Sequence, residues 1–277
     1  MAFVRGRSGE RRVGHAGTLD PFAEGVLPVC LGQATRVVEY LMDAHKTYRA
    51  VVRLGRETDT YDRTGATIAE GDAAAVRRKD FEMALRDFEG EIEQVPPPFS
   101  ALKRDGVPLY KLARAGQPVV APPRRVNIFR IEATSFEPPL AGFEVECGKG
   151  TYIRSLAHDL GRVLGVGGCL ETLVRTRVGP FSIDRAVGVE TLREEFESGT
   201  WRERLMALDE VLLEWPAAVL GPDNERRART GIAAELAELR PSPGGRLRAY
   251  SCAGDFVAVM RREAPGRWRP EKVFQPA

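Results

Sequence analysis

The chain has 277 residues, of which 43% are hydrophobic and 29% charged, and its formal net charge is +2. This length predicts one or two domains, and the composition is that of a globular protein with ample core. No apolar run is long enough to span a membrane and the first residues carry no signal-peptide pattern, so we expect a cytoplasmic protein without membrane association.

The few cysteines and histidines favour neither a disulfide framework nor a metal site. The cysteines form no C-x-x-C pair and the three histidines lack ligand spacing, so we expect reduced thiols, buried or incidental, and no metal. The cysteines are Cys30, Cys147, Cys169 and Cys252.

The first informative stretch in chain order is VGHAGTLDPFAEGVLP. Asp20 precedes Pro21, which disfavours helical geometry at the aspartate. Gly14 and Gly17 flank His15 and permit backbone conformations that a Cβ would hinder. The stretch could present a carboxylate to a substrate, although Gly, Asp and Pro together are also ordinary turn residues.

The first half of the chain alternates helical and extended patterns. Apolar spacing predicts a helix over 33–45 and a half-exposed strand over Tyr48–Leu54. The segment Arg56–Gly65 is predicted to be a polar loop. Asp80 is expected to cap a helix that ends at Gly90.

A loop-rich insertion over about 94–124 follows, with a short helix at Leu109–Ala115. A loop of this length is uncommon unless it binds something. Strands are predicted at Arg125–Glu132 and, from alternation, around Phe143–Cys147.

After the turn Gly148–Thr151 we predict a helix whose buried stripe includes Leu156, Leu160, Val163 and Leu164, and then a shorter helix at Leu170–Arg175. Near the end of the chain, the sequence predicts a helix at Asp223–Arg229 and strands at Arg246–Tyr250 and Phe256–Met260.

Strands mixed with helices, without regular βαβ alternation, indicate an α+β fold with a mixed, mainly antiparallel sheet. The change of pattern late in the chain predicts a domain over 1–212, which contains the insertion, and a small β-rich domain over 213–277.

Charge is unevenly distributed along the chain. Seven Lys or Arg and one acid, Asp105, lie between Lys103 and Arg130. Such a patch could neutralise phosphates, and a solvated basic face is the alternative.

Two further positions could complete a site around a carboxylate. Arg154 lies where a strand turns into a helix, a rigid place for a bidentate carboxylate partner; it could instead be a surface residue held by Asp159 or a phosphate. Tyr48 could offer an aromatic platform, although half-buried tyrosines are common in strands.

Several segments together resemble the TruB-type tRNA pseudouridine synthases. GHAGTLDPFAEGVLPVCLGQATR resembles the catalytic segment of that family, and the resemblance implies that Asp20 is the catalytic residue. KGTYIRSLAHDLG resembles a second signature, in which Arg154 pairs with the aspartate. KTYRA resembles the strand whose tyrosine, Tyr48, stacks on the target base and takes part in its deprotonation.

The resemblance also implies roles for residues that shape the substrate pocket. Tyr152 would contact the target nucleotide, His15 would occupy the space that the uridine leaves, and Leu173 would line the base pocket. From the residues alone, these side chains would be a core aromatic, a turn residue and a core leucine.

The segment VPPPFSALKRDGVPLYKLARAG resembles the RNA-gripping insertion of the family, so Lys103, Arg104, Lys111 and Arg114 become candidates for phosphate contacts. The C-terminal piece, ending GRWRPEKVF, resembles a PUA-like RNA-binding domain.

The function implied is isomerisation of uridine 55 in the T-arm of tRNA, after the base has been taken out of its stack, without cofactor or metal. The implied partner is tRNA, and the implied state is a monomer. Whether Asp20 attacks the sugar or the ring, whether other RNAs are substrates and whether the C-terminal domain is needed stay open.

The sequence departs from the family at its start. The family opens with a strand about two dozen residues upstream of the match, and its loss would leave a strand edge unpaired. Val174 also stands where an arginine is common. The departure motivates an alternative, a protein that binds or remodels the T-arm without turnover. A glycoside-type hydrolase would need a second carboxylate near Asp20, and only Glu24 is close in sequence.

Overall fold

The computed structural model describes residues 1–117, 121–236 and 239–275. Residues 118–120 of the predicted insertion and four residues of the predicted C-terminal domain lie outside the described residues. Across the described ranges, every helix is too short or too polar to cross a membrane.

Eighteen strands are described. They are β1 (Val13–His15), β2 (Glu24–Gly25), β3 (Val29–Leu31), β4 (Lys46–Leu54), β5 (Arg56–Thr58), β6 (Thr67–Glu70), β7 (Gly90–Gln94), β8 (Lys103–Arg104), β9 (Val107–Pro108), β10 (Arg124–Glu137), β11 (Leu140–Cys147), β12 (Gly168–Val178), β13 (Phe181–Ser182), β14 (Ala217–Val219), β15 (Ala234–Glu235), β16 (Arg246–Tyr250), β17 (Phe256–Ala264) and β18 (Arg267–Val273).

Seven α-helices accompany them in the described part: α1 (Ala2–Ser8), α2 (Val38–Asp43), α3 (Arg78–Arg86), α4 (Leu109–Arg114), α5 (Ile153–Val163), α6 (Val189–Ser198) and α7 (Pro222–Arg229). Short 3-10 helices occupy Gly32–Val37, Ile183–Arg185, Thr200–Arg204 and Glu210–Leu212.

The chain forms two compact units. The larger unit comprises 17–28 and 42–186, and the smaller unit comprises 1–16, 29–41 and 187–277. The predicted division at residues 212 and 213 stays a prediction.

The larger unit is built on an antiparallel sheet in the order β13-β12-β4-β11-β10-β7, with β2 parallel beside β12. In β4 every second side chain is buried, which is the period of a sheet with one covered face. Helices α3 and α5 supply Phe81, Leu85, Leu156 and Leu160 to the core that this face forms.

The smaller unit contains a five-stranded sheet in the order β14-β16-β17-β18-β15. Trp268 is fully buried in the core of this sheet, together with Leu247 and Ala228 of α7. A second apolar cluster joins Val37 and Phe274. The predicted helix at 223–229 and the predicted strands at 246–250 and 256–260 are present, the second strand running on to Ala264.

The prediction of a helix at Leu170–Arg175 is wrong, because these residues lie inside the long strand β12. A register shift between Leu170 and Thr172 lets Leu170 and Leu173 both face the core, and this spacing of three imitates a helix. The β-branched residues Thr172, Val174, Thr176 and Val178 favour the strand.

Smaller differences concern single elements. The helix predicted over 33–45 begins as a 3-10 helix, and the loop predicted at 56–65 contains β5, which pairs with β6. Asp80 is the third residue of α3 and accepts the backbone N–H of Arg77, so it satisfies the amide of the N-cap residue from inside the helix. Val163, predicted to be buried, is 56% exposed.

Candidate active site

Asp20 lies on a loop between two glycines of positive φ, Gly17 at +82° and Gly25 at +102°. Its backbone carbonyl accepts the N–H of Ala23 at 2.9 Å, which closes a tight turn after Pro21. The carboxylate keeps 31% of its side-chain surface exposed, so it remains reachable from solvent.

Arg154 binds this carboxylate in a bidentate manner. Its Nε donates to Oδ2 of Asp20 at 3.0 Å and its Nη2 to Oδ1 at 2.9 Å. The arginine is the second residue of α5 and its side chain is only 5% exposed. It also donates to the carbonyls of Thr60 and Phe99, so its guanidinium is fixed from three directions.

A second carboxylate, Asp62, lies 3.6 Å from Nη1 of Arg154 and is 6% exposed. Its Oδ1 accepts the hydroxyl of Thr60 and the backbone N–H of Thr64, both at 2.9 Å. The cation thus stands between one buried carboxylate and one partly exposed carboxylate. The arrangement holds Asp20 in one orientation and leaves it free to meet a substrate.

Tyr48 and Lys46 project from β4 on the buried face of the sheet and are 9% and 8% exposed. Burial raises the pKa of Tyr48 to about 12, although the nearby Arg175 guanidinium opposes the shift. Burial, and after it the charge of Arg175, lowers the pKa of Lys46. The Lys46 ammonium donates to the carbonyls of Met42 and Ala44 at 2.8 and 2.7 Å.

Tyr152 is the N-cap residue of α5 and is half-buried. The side-chain amide of Gln94 binds its backbone on both sides, accepting the N–H at 2.7 Å and donating to the carbonyl at 3.0 Å. Burial raises the pKa of the Tyr152 phenol. Gln94 therefore fixes the backbone from which both Tyr152 and Arg154 project.

Apart from Gln94, these side chains line one cavity of about 660 Å³ in the larger unit. This volume lies within the range of about 300–1,000 Å³ that small-molecule sites occupy. Of the residues predicted from the sequence, those lining it are Asp20, Tyr48, Tyr152, Arg154 and Arg114.

The other predicted residues lie elsewhere. Leu173 is 5% exposed and belongs to the core of the larger unit, and His15 lies in β1 of the smaller unit. Lys103, Arg104 and Lys111 are exposed on and around the β8–β9 pair and α4.

Four polar residues of this site were not predicted from the sequence: Lys46, Asp62, Gln94 and Arg175. A lysine two residues before Tyr48 in a strand shares its face, which was a usable signal. Asp62 was hidden in a segment interpreted as a polar loop, and Arg175 in a stretch interpreted as a helix. Gln94 carried no signal, since its role depends on the approach of a distant helix.

Comparison with known proteins identifies the family. Residues 5–153 match the family model described as TruB family pseudouridylate synthase (N terminal domain). Residues 154–219 match the model described as tRNA pseudouridylate synthase B C-terminal domain.

Curated relatives carry a matching name, and a solved structure shares the fold. A Pseudomonas aeruginosa protein named tRNA pseudouridine synthase B is 43% identical over 276 residues, covering 98% of this chain and 90% of that protein. A Dehalococcoides mccartyi protein of the same name is 41% identical over 271 residues, with the same two coverages. A chain of the crystal structure of a Cbf5-Nop10-Gar1 complex aligns with a TM-score of 0.74 and 27% identity, over 99% of this chain and 80% of that one.

The fold and the matches define an enzyme of the pseudouridine synthase class. The chain belongs to the TruB family. The predicted family and the predicted α+β fold with a mainly antiparallel sheet are therefore confirmed.

Proposed function

We propose that this chain converts uridine 55 in the T-arm of tRNA to pseudouridine. The observation that carries the proposal is the Asp20 carboxylate, held bidentate by a buried arginine at a cavity that Tyr48 and Tyr152 also line. The relatives' names, tRNA pseudouridine synthase B, support tRNA as the substrate.

The reaction is an isomerisation, so atoms and electrons balance within the nucleotide. The N1–C1′ bond breaks, with its electron pair going to the ring, and a C5–C1′ bond forms. The proton on C5 leaves to a base and N1 gains a proton. A carboxylate acting on the sugar or the ring starts the exchange, and a base removes the C5 proton.

In this proposal Asp20 is the reacting carboxylate, and Arg154 holds it in a fixed orientation through two hydrogen bonds. Tyr48 stacks on the uracil and takes part in the C5 deprotonation, and Tyr152 contacts the same nucleotide. His15 fills the space that the extruded uridine leaves, and Leu173 shapes the base pocket from the core side. Extruding the base costs a few kcal/mol, which contacts to the RNA must offset.

Those contacts come from exposed cations of the insertion, namely Lys103, Arg104, Lys111 and Arg114, which neutralise phosphates of the T-arm. A PUA-like domain over 213–277 adds RNA contacts. We infer a monomer that acts in the cytoplasm.

The test uses tRNA transcripts made with uridine tritiated at C5. The intact transcript should release one tritium per molecule, and a transcript with cytidine at position 55 should release none. Release that persists with cytidine at position 55 would overturn the assignment of the target. Tight binding of both transcripts without release would favour a T-arm binding protein without turnover.

A further inference from the structure

Arg175 is a buried cation of the larger unit to which the proposed chemistry assigns no role. It lies in the middle of β12 and is 1% exposed, yet it lines the same cavity as Asp20. Across the described residues, no Asp or Glu side chain forms an ion pair with it. A buried charge without a counter-charge is costly, so its hydrogen bonds must carry a specific benefit.

The guanidinium of Arg175 reaches both ends of the loop that carries Asp20. Its Nη2 donates to the carbonyl of Gly17 at 3.0 Å, and its Nε donates to the carbonyl of Val26 at 2.8 Å. The backbone carbonyl of Arg175 also accepts the N–H of Val26 at 2.8 Å. One residue therefore fixes the point where the loop departs and the point where it returns.

The two glycines of the loop make this approach possible. A Cβ on Gly25 would lie 2.2 Å from the Arg175 carbonyl oxygen, and one on Gly17 would lie 3.2 Å from its Nη1. Both glycines also have positive φ, which other residues rarely adopt. The loop is thus seated directly against the arginine, with no side chain between them.

Arg175 also faces Tyr48. The two residues are partners in the β4–β12 register, and the positive charge of the guanidinium opposes the rise in the Tyr48 pKa that burial causes. The same residue therefore binds the loop of the carboxylate and lies opposite Tyr48 at the cavity that both residues line. Arginine suits this place because its fork carries five donors, whereas lysine acts from a single nitrogen.

We propose that Arg175 is a positioning residue, which clamps the loop over 17–26 so that Asp20 and Tyr48 keep a fixed mutual geometry during the reaction. The inference rests on the proposed function. A displacement of about 1 Å at a reacting group costs about 100-fold in rate, and this is the loss expected when the clamp is removed.

The experiment compares Arg175→Met and Arg175→Lys with wild type and with Arg177→Met, an exposed arginine on the same strand. Three quantities are measured: the single-turnover rate of pseudouridine formation, the Kd for tRNA, and backbone amide exchange. Both Arg175 variants should lose about 100-fold in rate while Kd stays within about twofold. Arg177→Met should keep the wild-type rate.

Amide exchange separates positioning from general loss of structure. In the Arg175 variants the amides of Ala23 and Val26 should exchange faster, while the amides of the β4–β11 pairing keep their protection. Loss of protection in β4 and β11 in both variants would overturn the proposal, since Arg175 would then support the whole sheet. Wild-type rates in both variants, or unchanged exchange of Ala23 and Val26, would overturn it as well.

The two proposals fail in different ways. If wild type formed no pseudouridine, the proposed function would be wrong, and the exchange of Ala23 and Val26 would still decide whether Arg175 clamps the loop.

Discussion

Replacing Arg154 by methionine should destabilise the fold, because it removes the cation that two carboxylates share. Asp20 is 31% exposed and can be hydrated after the change, whereas Asp62 is 6% exposed and cannot. The cost therefore arises mainly from the uncompensated charge of Asp62.

The size of the destabilisation follows from the difference in exposure between Asp20 and Asp62. Removing one partner of a buried ion pair costs about 3–5 kcal/mol. Because Asp62 keeps the hydrogen bonds from Thr60 and Thr64, we expect the lower end, about 3 kcal/mol. At about 2–4 °C per kcal/mol, Tm should fall by roughly 6–12 °C.

Urea unfolding of wild type, Arg154→Met, Asp62→Asn and the double variant measures this cost. If the buried charge of Asp62 causes the loss, adding Asp62→Asn to Arg154→Met should restore at least about 1 kcal/mol of the free energy of unfolding. A double variant whose loss equals the sum of the two single losses would show that the two side chains do not interact, and the buried charge of Asp62 would then not be the cause.

Three further changes have defined outcomes. Gly25→Ala should destabilise the protein far more than Gly90→Ala. Both glycines have φ +102°, but only at Gly25 would the new Cβ meet a backbone oxygen. The midpoints of urea unfolding will show whether the two variants differ in stability. Burial raises the pKa of Asp159 from 3.8 to about 6, so the folded state binds its proton more tightly than the unfolded state and stability falls as pH rises through this interval. Asp159→Asn should remove that slope and stabilise the protein at pH 7 but not at pH 3; an unchanged slope would contradict the assignment. Changing Lys103 and Arg104 together to Ser should weaken tRNA binding and reduce the slope of log Kd against log salt by about 1.4–1.8, while an unchanged slope would show that they touch no phosphate.

The carboxylate and its partner were the most predictable part of the site. Asp20 before Pro21, between glycines, and Arg154 at a strand-to-helix turn are local patterns, and each segment resembles a family signature. The structure brings the two together with hydrogen bonds of 2.9–3.0 Å, although they are 134 residues apart in sequence.

The supporting residues could not be predicted in the same way, because their roles depend on long-range packing. Gln94 acts on a helix 58 residues away, and Arg175 binds carbonyls 149 and 158 residues away. Leu170 and Leu173 are three residues apart, a spacing typical of a helix, and both face the core only because of the register shift in β12. This spacing concealed the strand that carries Arg175. Regular alternation, as in β4, was enough to predict a strand and its buried face.

We propose that Asp20 performs the isomerisation, and tritium release from a T-arm transcript labelled at uridine C5 measures this step. Wild type, Asp20→Asn and the control Asp184→Asn, an exposed aspartate of the same unit, are compared at saturating enzyme. The expected result is release by wild type and the control, and no release by Asp20→Asn, which should retain its affinity for tRNA. Full release by Asp20→Asn would contradict it.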